Sequence, residues 1–353
     1  MHQRNVTTAR ERRGTEYQPP IVAELQAIFD TLPDKDLLAL LRGPRRRGRR
    51  GYDVSVLWRC FVAYYALNLE SVSVLIRYLR NNPYVASACG IRSPEEMPSQ
   101  PTFSRFGTRL ARRKPSLAVK AIQRALTQRL RDSLPGFGDY VAIDSTHMKG
   151  WSNGNRKGRR GDSAVRRQKP KIGQMSDPDA GWCVKTNTQG NKQFTWGYKA
   201  HILCDAVYEL PIVVSITAGN VHDVNKATPL LRQFREYFRV NPKYVLADAG
   251  YSSERVRQAI RRQYKAVPVI DPHPSHKKAV ERQERIPEWR TIYRRRTAVE
   301  RLNSRMKAFY RLDSIRVRGK MKVALHALLS TVALEARALA HPMTPRHCVE
   351  TAA

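Results

Sequence analysis

YVAID, residues 140–144, and YVLAD, residues 244–248, are nearly the same pentapeptide written twice. Each offers four positions suited to a strand buried on both faces, then an Asp where the strand emerges. In open α/β sheets ligands gather outside the carboxyl ends of the strands, so two such Asp residues on neighbouring strands would share one crevice. A single strand-end Asp usually does no more than cap a turn. The pair, Asp144 and Asp248, is the informative feature.

A third acid follows in TIYRRRTAVERLNSRMKAFY, residues 291–310, which reads as one helix. At ~100° per residue, Tyr293, Arg296, Glu300 and Lys307 fall within about 60° of one another. Val299, Leu302, Met306 and Phe309 form the opposite, apolar stripe expected to dock on a core. Taken alone this is an ordinary amphipathic helix with an Arg296–Glu300 surface pair. The order Asp, Asp, Glu, at separations of 104 and 52 residues (248−144 and 300−248), makes it more specific. Three clustered carboxylates raise one another's pKa until cations neutralise them. Two Mg²⁺ ions about 3.5–4 Å apart would do so, and would also activate a water or 3′-hydroxyl at a phosphodiester.

Between these landmarks the periodicity predicts strands over 194–207 and 210–218. An amphipathic helix opened by His222-Asp223 follows, with Val224, Ala227, Leu231 and Phe234 inward, then a helix from Ser252 and a strand over 265–270. His147, His201 and His222 near the strand ends are expected to be structural or helix-capping before they are metal ligands, Asp205 to end a strand and Asp223 to cap a helix. Order is expected to resume over residues 176–182, with Asp177 and Asp179 of DPDA, 177–180, in a loop. The basic stretch 150–171 lacks the apolar residues needed to pack and is expected to be mobile without nucleic acid.

Upstream of Pro135-Gly136 the pattern is helical throughout. Asp53 or Ser55 and Ser71 are the expected N-caps, and Pro101 marks a first turn. Val119, Ile122, Leu126 and Leu130 form a buried stripe. Gln100, Thr102 and Arg105 at the start of one helix suit a helix-turn-helix unit reading base edges, although a plain dimerisation bundle fits the same pattern. The run GPRRRGRRG, residues 43–51, presents Arg45, Arg46 and Arg49. It suits a minor-groove arm or a solvated basic linker.

The 353 residues carry 64 Lys+Arg against 30 Asp+Glu, a formal charge of +34, and 41% of them are hydrophobic. That excess points to a polyanion, DNA or RNA before a membrane surface. No apolar core marks the N-terminus as a signal peptide, and His326, Glu335 and Arg337 interrupt the apolar stretch 323–340, so neither reads as a membrane segment. Five scattered cysteines without Cys-x2-Cys spacing read as reduced thiols of a cytoplasmic, nucleoid-associated protein.

With these motifs in view, the chain resembles the DDE transposases of bacterial insertion sequences, in the branch with a Tyr-x2-Arg-x3-Glu-x6-Lys signature. That signature corresponds here to Tyr293, Arg296, Glu300 and Lys307. GYKAH at 197–201, NVHD at 220–223, LADAGY at 246–251 and DPDA resemble the same family, over about residues 139–340. The resemblance implies an α/β ribonuclease-H-like catalytic domain, a mixed sheet flanked by helices, over about 136–342 with a basic insertion at about 149–175. It also implies an all-α DNA-binding and oligomerisation domain at 19–135, between a flexible basic arm at 1–18 and a tail at 343–353. Asp144, Asp248 and Glu300 would be the catalytic metal ligands for Mg²⁺, with Mn²⁺ able to substitute. Tyr293, Arg296 and Lys307 would hold double-stranded DNA, both terminal inverted repeats and target, on a homodimer. Some relatives carry a long β insertion before the catalytic Glu, and the short Asp248–Glu300 interval lacks it. A catalytically silent DNA-binding derivative and another ribonuclease-H-like nuclease are the rival readings.

Overall fold

The computed structural model describes residues 18–43, 51–152, 176–186, 189–272 and 288–341. Arg45, Arg46 and Arg49, the arm, the tail and most of the basic insertion lie outside the described residues. The N-terminal part contains helices α1 (Pro20–Thr31), α2 (Lys35–Arg42), α3 (Val54–Ala66), α4 (Val72–Asn81), α5 (Pro83–Ala88), α6 (Gln100–Leu110) and α7 (Arg113–Ser133). Asp53 and Ser71 cap α3 and α4 by accepting from the backbone N–H groups of Ser55 and Val74. Either cap contributes about 1 kcal/mol. The α7 stripe of Val119, Ile122, Leu126 and Leu130 is buried, as its spacing requires.

After the Pro135-Gly136 turn the chain builds a sheet from β1 (Tyr140–Lys149), β2 (Gly181–Thr186), β3 (Lys192–Asp205), β4 (Pro211–Ala218), β5 (Tyr244–Ala247) and β6 (Val267–Ile270). Helices α8 (Ala227–Phe238) and α9 (Glu254–Gln263) connect its later strands; α10 (Trp289–Arg294), α11 (Thr297–Phe309) and α12 (Lys320–Ala340) complete the described chain. β3 pairs antiparallel with β1, β2 and β4, whereas β1–β5 and β5–β6 are parallel. The result is a mixed sheet flanked by helices, in the ribonuclease-H-like order that the motifs implied.

Three local expectations change. β1 does not end at Asp144. Its parallel partner stops at the pair Ile143↔Ala247, but its antiparallel partner β3 continues, pairing Asp144↔Ile202 through Lys149↔Gly197. Residues 181–186, not singled out as a strand, form β2, because the first half of β3 extends past β4 and accepts a hairpin partner. The single helix 291–310 is two helices. Arg295 and Arg296 donate back only three residues, to the carbonyls of Ile292 and Tyr293, and the Thr297 hydroxyl takes the Arg294 carbonyl at 2.9 Å. A β-branched residue that competes for backbone carbonyls breaks a helix in this way. Phe309, assigned to the buried stripe, is 60% exposed, while Val299, Leu302 and Met306 are fully covered.

α12 holds the halves together. It packs against α1, α3, α7 and β4, and one continuous apolar core runs from Val22 to Ala336. Val323, Leu329 and Val332 are buried, and each stabilises the fold by about 1.5–3 kcal/mol. Among the described residues α12 alone is long and apolar enough to cross a membrane, and 72% of that stretch is buried inside the protein. Several of its polar residues find partners inside the protein. The Glu335 Oε1 accepts from Gln123 Nε2 at 2.8 Å, and His326 lies 2.9 Å from the Tyr65 hydroxyl. The buried Arg311 guanidinium donates to the carbonyls of Leu69 and Glu70 and stacks over Tyr64.

Candidate active site

The parallel ladder places Asp144 and Asp248 one residue beyond its last pair, Ile143↔Ala247. Neighbouring strands lie about 4.8 Å apart, so the two acids stand side by side at that end of the sheet. Asp248 begins a short 3-10 turn, and its Oδ1 accepts the Gly250 N–H at 3.0 Å. Burial, opposed by the Ser145 N–H, pushes the Asp144 carboxyl from 3.8 up to about 6, and the charges of Asp248 and Glu300 add to the rise. Asp248 is raised as well, first by burial, while Arg296 pulls it down and the negative charge of Asp223 opposes that pull.

α11 runs alongside β1 in the same direction. Arg295, just before it, lies over the Tyr140 ring; Asn303 Nδ2 donates to Asp144 Oδ2 at 2.9 Å; and Lys307 Nζ donates to the His147 carbonyl at 2.8 Å. The match is geometric. Eight helical residues rise about 12 Å, close to the span of four strand residues. Arg301 and Arg305 fix the outer side of the helix to Glu209 in the β3–β4 turn.

The helix break leaves Tyr293, Arg296 and Glu300 as neighbours, while Lys307 lies about two turns further along α11. Tyr293 stacks on Trp289 at 4.5 Å, the Arg296 guanidinium lies 5.5 Å from the Tyr293 ring centre, and Arg296 pairs with Glu300 at 2.8 Å. Glu300 remains half exposed and within electrostatic reach of Asp144. Among the described residues no three His, Cys, Asp or Glu side chains are close enough to share one metal ion. The expected three-acid cluster is therefore not closed. Glu300 relieves the repulsion of three carboxylates by facing Arg296. Asp144 and Asp248, two hard oxygen donors whose charged forms are disfavoured by burial, do suit a divalent cation.

Gln100, Thr102 and Arg105 lie on a different element, the first turns of α6. Gln100 and Arg105 are exposed there, while the Thr102 hydroxyl is 3.0 Å from Ser99 Oγ. Of the histidines, His201 is fully buried with Nε2 2.8 Å from Thr217 Oγ1, the structural role expected of it. His147 Nε2 lies 2.7 Å from Cys183 Sγ. The four described cysteines are free thiols. Asp205 ends β3 and accepts the N–H groups of Gly138, Val207 and Tyr208. Asp223 corrects its expectation. It makes no cap bond and instead pairs with Lys199 at 3.0 Å.

Two motifs owe their residues to contacts that local pattern does not reveal. In DPDA, Asp177 Oδ1 accepts from the Tyr198 hydroxyl at 2.7 Å and the Gly319 N–H at 3.2 Å, and Asp179 Oδ2 accepts the Lys320 N–H at 2.8 Å. The motif is a remote N-cap for α12. In GYKAH, a Cβ on Gly197 would lie 2.2 Å from the Met148 carbonyl oxygen, so only glycine lets β3 pass that close to the end of β1. Asn303 was also missed, although it sits one helical turn from Glu300.

Comparison with known proteins bears on the family of the chain. The profile described as a transposase DDE domain matches residues 135–335, and one described as a transposase domain (DUF772) matches residues 13–109. A putative transposase for insertion sequence element IS402 of Burkholderia cepacia is 39% identical over 71 residues, 18% of this chain and 33% of that protein, so the match spans a third of that relative. A cryo-EM structure of piggyBac transposase in a synaptic complex with hairpin DNA aligns with a TM-score of 0.44 at 10% identity, over 93% of this chain and 76% of that one. With the DDE profile covering more than half of its length, the chain belongs to the DDE transposase family of bacterial insertion sequences.

Proposed function

We propose that the protein is a DNA transposase that cleaves the ends of its element and joins the freed 3′-hydroxyl to target DNA, with Asp144, Asp248 and Glu300 as the catalytic acids. The placement of Asp144 and Asp248 side by side beyond the β1–β5 ladder, with α11 holding Glu300 alongside, carries this reading. When bound, Mg²⁺ or Mn²⁺ would activate the attacking oxygen and steady the leaving one. Asp144 and Asp248 would hold the cation, and Asn303 orients Asp144 by its hydrogen bond.

Arg296 is the hinge of the mechanism. Its guanidinium now pairs with Glu300 over the Tyr293 ring. A DNA phosphate competes for the same fork of donors. As Arg296 turns to the phosphate, Glu300 is released toward Asp144 and completes the acidic set only when DNA is present. Lys307 and Tyr293 hold the same backbone stretch. The exposed Gln100 and Arg105 of α6 supply further DNA contacts, and the protein works as a homodimer on double-stranded DNA. The test is Asp248→Ala on DNA carrying the terminal inverted repeats. Divalent-dependent nicking and strand-transfer products should both vanish while DNA binding persists, and undiminished cleavage would sink the assignment.

A further inference from the structure

Directly opposed residues of paired strands share a face of the sheet, and successive residues alternate. The pairings Ser145↔His201, His147↔Lys199, His201↔Ser215 and Lys199↔Thr217 therefore put Lys199, His201 and Thr217 on the face opposite Asp144. That face is polar and almost dry. Lys199 is 8% exposed and His201 fully buried. Lys199 Nζ donates to Asp223 Oδ1 at 3.0 Å and to the Val221 carbonyl at 3.0 Å; His201 Nδ1 approaches the same Asp223 oxygen at 3.7 Å and has no hydrogen-bond partner. Burying an ammonium costs several kcal/mol unless an anion and hydrogen bonds compensate it. Both are supplied by the segment 221–223.

Asp223 begins the 3-10 turn Asp223–Lys226, which packs on the 3-10 turn Ala249–Tyr251 that follows Asp248. Tyr251 is 1% exposed, and Asp144, Asp223 and Asp248 all act on it electrostatically. Asp248 thus stands between the two faces, with Arg296 influencing it from the α11 side and Asp223 from behind.

We propose that Lys199 and Asp223 are positioning residues of the catalytic centre. Their buried ion pair fixes one 3-10 turn against the other and so sets the direction of the Asp248 carboxylate. The inference rests on the proposed role of Asp248. GYKAH and NVHD then share one purpose, since Lys199 belongs to the first and Asp223 to the second.

The test is direct Mn²⁺ binding to the full chain, followed by electron paramagnetic resonance, alongside thermal melts and binding to a terminal-repeat DNA fragment. Asp223→Asn and Lys199→Met should each weaken Mn²⁺ binding by about 10–100-fold, the usual effect of losing an outer-shell partner. DNA affinity should stay near wild type, Lys199→Met should show the Mn²⁺ loss without the large drop in melting temperature that an unpaired buried ammonium brings to Asp223→Asn, and Lys199→Arg should retain the binding. Wild-type Mn²⁺ affinity in both variants, or losses that follow the melting temperature alone, would overturn the proposal. Asp144→Ala serves as the control for the underlying reading. If it too binds Mn²⁺ as wild type does, the acidic centre itself is misassigned, and Lys199 and Asp223 lose their object with it.

Discussion

Asn303 donates from Nδ2 to Asp144 Oδ2 at 2.9 Å, a direct link from the helix of the third acid to the carboxylate of the first. Asn303 is 6% exposed, and the bond crosses 159 residues of chain. A carboxylate in its place would raise the Asp144 pKa further by like-charge repulsion. In Asn303→Asp, cleavage of terminal-repeat DNA should fall by about 10–100-fold, with the acid limb of the pH profile displaced upward. Asn303→Ala should cost about 1–3 kcal/mol of stability by removing a buried hydrogen bond. An unshifted pH profile in Asn303→Asp would show that the contact does not tune Asp144.

The raised pKa of Asp144 has a definite sign in stability. Its native value is about 6, against 3.8 for the unperturbed group. Between those values the native protein holds a proton that the unfolded chain has released, so stability falls as pH rises through that window. Asp144→Asn removes the effect. Because the carboxyl is only partly buried, the variant should gain about 1–3 kcal/mol on the wild type at pH 7 and nothing at pH 4 in metal-free denaturant melts. Mn²⁺ should narrow the difference, since a cation stabilises the charged carboxyl in the wild type. An equal difference at both pH values would place the strain elsewhere.

What the sequence disclosed depended on how local the cause was. Val141, Ala142 and Ile143 and their counterparts Val245, Leu246 and Ala247 are all buried, so uninterrupted apolar runs were enough to find β1 and β5. The caps at Asp53 and Ser71 were legible because donor and acceptor lie within three residues. β2 was not, because GWCVKT becomes a strand only where the first half of β3 extends past β4. Asp223 was read as a cap because its partner Lys199 lies 24 residues back on another strand. The openness of the three-acid set was equally hidden. Spacing places acids on elements, but whether Glu300 faces Asp144 or Arg296 depends on charge balance in three dimensions.

DPDA gives the next prediction. Asp177 and Asp179 reach across more than 140 residues to the first N–H groups of α12. Orphan donors at a helix start are satisfied as well by a remote carboxylate as by a local cap. Asp179→Ala should cost about 1 kcal/mol. Asp177→Ala should cost about 1–3 kcal/mol, since it also strips the buried Tyr198 hydroxyl of its acceptor. Mn²⁺ affinity should not change in either variant. If Mn²⁺ binding were lost in a stably folded Asp179→Ala, the motif would belong to the catalytic centre and not to α12.

Glu335 is fully buried on α12, and burial pushes its carboxyl well above the usual range, although Gln123 and Thr127 hydrogen-bond to it. Its Oε1 takes the bond from Gln123, while Oε2 has no partner and is the natural seat of a proton. The native state keeps that proton after the unfolded chain has lost it near 4.5, so stability declines as pH rises from there toward the native value. Glu335→Gln retains an acceptor for Gln123 and cannot ionise. Its stability advantage over the wild type should therefore be larger at pH 8 than at pH 5 in chemical melts, and the wild-type slope with pH should flatten. A wild type that instead gained on the variant with rising pH would mean the carboxylate is ionised and paired, and that α7, β4 and α12 meet around a charge and not around a neutral acid.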